Sequence, residues 1–338
     1  MKYLIEPRTV EKKYPVCSAK GDAAAILTKE GYLKFYIDYP TIKNKMERAI
    51  RVFGDYMRLG RTLKNDDTVF IQWPVGILFE SMLYKRIVPP KVKDLYILVH
   101  DISSLRNNKP LNDVEKHMYS MATGIILHSE KMKKYIIENG IDGDKVQILQ
   151  CFDYLTKDEI KRKRTNSNVI VSVATTERSP FLTLISDAHL GIHVNLYGKY
   201  CDDYEIILGN DITYKGTFKS DEVSTLQGSW GLVWDGDSVD TCSSAIGEYM
   251  RYNSPHKVSL FIAAHLPIII WDKAAKADYV KEKGLGITVS SLRQIKECIE
   301  SISDEEYARI IKNLENESEL IRNGEHLKEC LRRMEAQR

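Results

Sequence analysis

Short runs of β-branched and aromatic residues alternate with helix-forming stretches along almost the whole chain, and nothing else in the sequence restricts its fold as much. In the first half the runs YLI (3–5), LKFYI (33–37), TVFIQW (68–73), LYILVH (95–100), GIILHS (124–129) and VQILQ (146–150) read as strands. Helices fit between them at 21–30, 43–60, 76–86, 111–120 and 130–139. Strands this apolar, separated by helices, must be covered on both faces, which requires a parallel sheet. Residues 153–167, YLTKDEIKRKRTNSN, interrupt the pattern with charge and small polar groups and read as a linker. The alternation resumes with NVIVSVA (168–174), IHVNLYG (192–198), ITYKGTF (212–218), WGLVW (230–234), PIIIW (267–271) and GITVS (286–290). Helical stretches at 291–302 and about 304–336 close the chain.

The pattern predicts an α/β protein of two Rossmann-like, doubly wound domains, residues 1–152 and 168–303. A C-terminal helix, 304–338, would cross back over the first domain or pack between subunits. Ligands of such sheets bind at the carboxyl ends of the strands, so two of them facing each other predict an interdomain cleft. The 338 residues suffice for two cores.

Composition removes several classes. No apolar run approaches the length of a membrane span, and MKYLIEPRTVEKK is charged too early for a signal peptide. The six cysteines (17, 151, 201, 242, 298, 330) form no CxxC pair, so neither a zinc site nor a disulfide framework is expected, and the cytoplasm is the expected compartment. Residues 1–152 carry 25 Lys+Arg against 18 Asp+Glu, net +7, and the remainder is net −5. A basic first half is compatible with contact to an anionic membrane surface, and equally with an ordinary solvated surface. No basic–aromatic tract suggests nucleic acid. Neither a GxGxxG turn after a first strand nor a P-loop is present, which argues against a dinucleotide enzyme or an NTPase.

The most informative stretch is GSWGLVWDGDSVDTCSSAIGEYMRYNSPHK (228–257). The strand WGLVW runs into Asp235-Gly236-Asp237, where Gly236 permits a tight turn or a close backbone approach. Pro255 suits the first turn of a helix, with Asn253 or Ser254 as its cap. The free N–H groups and positive dipole end of such a helix attract phosphate. Lys257 lies in that first turn, where the dipole disfavours a cation unless a diphosphate is present. A capped helix with a solvated lysine is the plain alternative. Asp235 and Asp237 could hold a divalent metal, position sugar hydroxyls or make a turn; with positive charge already available, action without a metal is expected. His100 and Asp101 end a strand of the first half, where a carboxylate can tune an imidazole for proton transfer. Side chains of adjacent strand residues point oppositely, so the two need not touch, and a packed histidine is the alternative. Gln72 and Trp73 end the preceding strand and could form an acceptor platform or close the core.

GLVWDGDS followed by GEYMRYNSPHKVSLFIAAHLPIIIW (231–238 and 247–271) resembles the bacterial glycosyltransferases that include the glucosyltransferase of serine-rich-repeat adhesins and the β-1,6-galactofuranosyltransferases. Weaker similarity appears at SAKGDA (18–23), IQWP (71–74), HDISSLR (100–106), ERSPFL (177–182) and YKGTF (214–218), so most of the chain is covered. The pattern departs at His265, where a glycine is common. The resemblance implies a GT-B fold, a UDP-sugar held mainly by the C-terminal half, and an acceptor facing the N-terminal half. It implies donor contacts from Ser18, Arg178, Tyr214, Asn253 and Lys257. Arg178 suits a phosphate, and Tyr214 could stack on uracil or ribose or belong to a strand-edge core. Transfer of glucose or galactofuranose from UDP to a sugar hydroxyl of a glycoprotein or glycan precursor follows, with His100, Asp101 or Asp235 as candidate catalytic groups. No cofactor beyond the donor is expected, and homo-oligomers are. The rival reading is a non-catalytic GT-B-like interaction or chaperone subunit.

Overall fold

The computed structural model describes residues 1–8, 19–38, 41–76, 88, 92–160, 165–175, 179–199 and 209–337. Ser18, Arg178 and nearly all of the expected helix 76–86 lie outside the described residues.

The chain forms two compact units. The first contains residues 20–149 with the N-terminal strand and, from the far end of the chain, 327–338; the second contains 150–326. In the first, six parallel strands stand in the order β2-β1-β3-β4-β5-β6. They are β1 (Lys2–Arg8), β2 (Leu33–Asp38), β3 (Thr68–Trp73), β4 (Asp94–Val99), β5 (Gly124–Leu127) and β6 (Val146–Ile148). β3, β4 and β5 are buried at every residue, because helices cover both faces of a parallel sheet. The described helices of this unit are α1 (Ala19–Lys29), α2 (Lys45–Thr62), α3 (Ser103–Arg106), α4 (Asp113–Met121) and α5 (Glu130–Glu138). Asn44 caps α2 by accepting from Met46 N and Glu47 N. Asn112 and Glu115 form a reciprocal capping box on α4.

The second unit repeats the plan with the order β12-β11-β10-β7-β8-β9, all parallel. Its strands are β7 (Val169–Val173), β8 (His193–Tyr197), β9 (Ile212–Gly216), β10 (Trp230–Val233), β11 (Ile268–Trp271) and β12 (Gly286–Val289). Its described helices are α6 (Ser244–Tyr249), α7 (His256–Ala263), α8 (Ala277–Glu282), α9 (Ile295–Glu300) and α10 (Asp304–Arg322), and α11 (Glu325–Ala336) follows. Strand order reverses between β7 and β10, the position where doubly wound sheets open a ligand crevice at their carboxyl edge.

Two differences from the sequence reading have local causes. Residues 153–160 and 165–167 are tied into the second unit rather than left as a free tether. The Tyr154 ring is buried and its hydroxyl donates to Ser220 O at 2.6 Å, while Asn166 Nδ2 donates to Ile299 O at 3.0 Å. The closing helix is two helices, because Gly324 takes φ +76° and turns the chain between α10 and α11. Residues Leu327, Cys330, Leu331 and Met334 of α11 are buried. A Cβ on Gly124 would lie 2.6 Å from Met334 Sδ, so that glycine makes room for the helix.

Candidate functional site

In the second unit the loop after β10 carries Asp235, Gly236 and Asp237, which the sequence singled out. Asp235 leaves the strand end, and Gly236 follows with φ +116°. A Cβ there would stand 2.4 Å from Ser243 O, so only glycine fits the turn. Trp234 Nε1 donates to Ser238 O at 2.9 Å and closes it. Phe181 N donates to Gly236 O at 3.2 Å, joining this loop to the segment that follows β7. The two loops that flank the strand-order reversal are therefore one connected structure. Asp237 accepts from Ser243 Oγ and is engaged in the turn.

α7 rises beside this loop. Pro255 occupies the N-cap, not the first turn, and no side chain caps the helix; Asn253 and Ser254, expected as caps, do not serve as one. The leading amides thus have no side-chain oxygen over them. Asn253 Oδ1 is buried with no hydrogen-bond partner among the described residues, so an acceptor oxygen is held at the helix mouth. Lys257 Nζ meets Asp235 Oδ1 at 2.7 Å and Trp234 O at 3.2 Å, and both charged side chains are only 17% exposed. The sequence pointed to Lys257 and to Asp235 separately; the structure pairs them. This pair accounts for a cation tolerated in a first helical turn, because Asp235 supplies the countercharge that the dipole does not.

His256 was not singled out by sequence. Its ring stacks on Tyr154 with centroids 5.2 Å apart and lies 5.9 Å from the Phe152 ring. Burial pushes the imidazole down to about 4 against the opposing Asp153 backbone, so it is neutral at pH 7. The Cys242 thiol is raised by burial and is no nucleophile. Tyr214 sits on the edge strand β9, 41% exposed, with its hydroxyl donating to Gly198 O at 2.9 Å. No described contact joins it to the Lys257–Asp235 pair, which lies in the loop after β10 and the first turn of α7. Among the described residues no three of His, Cys, Asp and Glu gather as metal ligands.

In the first unit the carboxyl edge holds a second polar set. Gln72 Nε2 donates to Glu6 Oε1 at 3.2 Å and to Lys20 O at 2.9 Å. Both partners are acceptors, so Gln72 Oε1 must face the other way, and His100 Nε2 stands 2.8 Å from it. An amide oxygen can only accept, so the His100 nitrogen that faces it, Nε2, carries a proton. The sequence offered Gln72 only as an acceptor platform, and nothing local signals a pairing across 28 residues. Asp101 turns away from His100 and pairs with Arg106 at 2.6 Å. The structure thus shows Asp101 engaged by Arg106 and His100 by Gln72.

Residues 2–151 match the family described as "Glucosyltransferase 3-like, N-terminal domain", and 170–334 match "Glucosyltransferase 3-like, C-terminal domain". Over 281 residues the chain is 30% identical to the β-1,6-galactofuranosyltransferase WbbI of Escherichia coli (strain K12), covering 80% of this chain and 79% of the relative. Over 321 residues it is 23% identical to Glucosyltransferase 3 of Streptococcus gordonii, covering 93% and 92%. Among solved structures, HepE of Anabaena in complex with UDP-glucose superposes with a TM-score of 0.60 at 14% identity, over 100% of this chain and 99% of that one. A UDP-forming α,α-trehalose-phosphate synthase from Burkholderia xenovorans gives 0.63 at 12% identity, over 99% of each chain. At such identities the likeness is one of fold, the paired doubly wound sheets of the GT-B type.

Proposed function

This chain belongs to the glucosyltransferase 3-like family, and from that membership we propose that it moves a hexose, glucose or galactofuranose, from a UDP-sugar to a sugar hydroxyl on a glycoprotein or glycan precursor. The observation that carries the reading is the uncapped mouth of α7 with Lys257 beside it, an anion site at the carboxyl edge of the second sheet. The donor diphosphate lies against those amides. Lys257 exchanges Asp235 for a phosphate oxygen as the leaving group gains charge, which is where an electrostatic contact lowers the barrier most. Tyr214, Asn253 and, outside the described residues, Ser18 and Arg178 complete the donor set.

The acceptor hydroxyl attacks the anomeric carbon, the bond to UDP breaks, and UDP leaves with the electron pair. If the anomer inverts, His100, held at the carboxyl edge of the first sheet by its bond to Gln72, is the group to take the hydroxyl proton. Action without a metal is supported by the engagement of both aspartates of the DGD turn. Asp235 is in an ion pair with Lys257 and Asp237 accepts from Ser243 Oγ, so each carboxylate already has a partner. No cofactor other than the donor is invoked.

Release of UDP decides the reading. The purified chain, incubated with UDP-glucose or UDP-galactofuranose and a panel of glycan acceptors, is expected to release UDP in an acceptor-dependent way with one donor. A non-catalytic subunit would release none from any donor.

A further inference from the structure

Helix α2 carries two apolar faces, one buried and one exposed. Val52, Asp55, Tyr56 and Leu59 are buried within the first unit. Met46, Ile50, Phe53 and Met57 are 75%, 66%, 50% and 43% exposed. Their spacing of four, three and four residues puts them in a single stripe along the helix. Isolated exposed apolar residues are ordinary, but four large ones in one row are not.

The charge around the stripe says what covers it. Over residues 43–61 the exposed cations Lys43, Lys45, Arg51, Arg58 and Arg61 stand against Glu47 and Asp55, while Arg48 is half-buried on the side of α2 opposite the stripe. Asp55 is buried and pairs with Arg58 at 2.7 Å, so Glu47 is the exposed acid of the segment. The surrounding residues 1–152 add to the same sign, with net +7. A second copy of this face would set one arginine-rich flank against another, since a two-fold contact is made of the same patch twice. An anionic bilayer supplies the opposite charge and takes the apolar stripe below its headgroups. We infer that α2 docks the first unit flat on an anionic phospholipid surface, with Met46, Ile50, Phe53 and Met57 inserted and the arginine flank on the headgroups. No described helix is long and apolar enough to cross a membrane, so this is a contact made from one side. The inference is independent of glycosyl transfer.

Flotation of the full chain with vesicles tests it, using equal parts phosphatidylcholine and phosphatidylglycerol, and phosphatidylcholine alone. The chain is expected to float with the mixed vesicles, far less with the neutral ones, and less as salt rises. The double variant Ile50→Glu, Phe53→Glu should bind the mixed vesicles at least tenfold more weakly, with an unchanged melting temperature because both side chains are exposed. The pair Arg51→Glu, Arg61→Glu gives a second reading that leaves the stripe intact and should also lose binding. No flotation of the native chain, or flotation of both variants equal to that of the native chain, overturns the inference. So does a native oligomer that the Ile50→Glu, Phe53→Glu variant dissociates, since a second copy would then cover the stripe.

Discussion

Lys257 shows what one residue reveals from sequence and what it hides. Its place in a first helical turn marks it as a cation that the helix does not want, and that much is local. Its partner lies 22 residues back, in the loop after a strand, and no periodicity joins the two. The pairing changes what a substitution does. Lys257→Met removes the charge facing the diphosphate, so turnover should fall roughly a hundredfold or more, as for the loss of one oxyanion donor worth about 2–4 kcal/mol. It also leaves Asp235 largely covered without a countercharge, a cost of about 1–2 kcal/mol between the exposed and buried limits for ion pairs. Adding Asp235→Asn should restore the stability and not the turnover. Denaturant melts and UDP-release rates on the two variants separate the roles; recovery of turnover in the double variant would mean that Lys257 serves only Asp235. His100 follows the same pattern. Its strand end was legible, but the Glu6–Gln72 chain that engages it was not, because it joins three separate strands or their ends.

Elements were the most legible level, for a physical reason. Among the described residues all twelve strands stand where the apolar runs placed them; the central ones are buried on both faces, which needs an unbroken apolar run that little else in a sequence makes. Helix ends were less clear, because they depend on backbone angles. His265 adopts φ +50° just after α7, and Leu266 N reaches back to Phe261 O at 2.8 Å, the bond that closes a left-handed helix end. A glycine relieves that strain, so His265→Gly should stabilise the second unit by about 0.5–1 kcal/mol in urea unfolding; a loss of similar size would show that the imidazole's own contacts outweigh the backbone. The corner between α10 and α11 was hidden by apolar spacing that continues through it. It is held by a buried pair, His326 Nε2 to Glu317 Oε1 at 3.0 Å, with Tyr279 donating to the same oxygen at 2.5 Å. Burial alone would raise the Glu317 carboxyl; the hydrogen bonds from His326 and Tyr279 and the charges of His326 and Lys283 outweigh it and hold the group at about 2. Burial likewise works against the His326 imidazolium, yet Cys151, Glu317 and Asp153 raise it. The depressed carboxyl stabilises fully above its ordinary 4.5 and loses that contribution as pH falls from there to about 2. The raised imidazole stabilises fully below its ordinary 6.5 and loses its share as pH climbs past it. Glu317→Gln should therefore cost most, about 3 kcal/mol, between those two values and less on either side. Urea melts at acid, mildly acid and alkaline pH would read the bell, and a cost independent of pH would remove the ion pair from the account.

At the scale of the molecule, the repetition of one α/β plan was legible and the return of the chain was not. Sequence left the last helix either crossing back or joining subunits, because the apolar face of α11 says that it packs without saying on what. The structure seats residues 327–338 in the first unit, with Lys2 and Glu335 paired at 2.8 Å across the ends of the chain. The second unit, 150–326, contains the loop after β10, α7 and the reversal in strand order, so the described groups assigned to the diphosphate belong to one body. UDP alone should then bind without any contribution from an acceptor. At a concentration about a hundredfold above its dissociation constant it should stabilise the unit that holds it by about 2.7 kcal/mol. Hydrogen exchange should slow across 230–263, because bound phosphate ties down the α7 amides and the Gly236 turn, whereas the β1–β6 sheet should change little. Titration calorimetry with EDTA should give the same affinity as without it, since Lys257 and the helix end supply the positive charge and the two DGD carboxylates are already engaged. Affinity lost on chelation would make Asp235 and Asp237 metal ligands that exchange their present partners when a cation arrives. Protection confined to residues 1–149 would move the donor to the other sheet and leave α7 as a core helix with an unusual lysine.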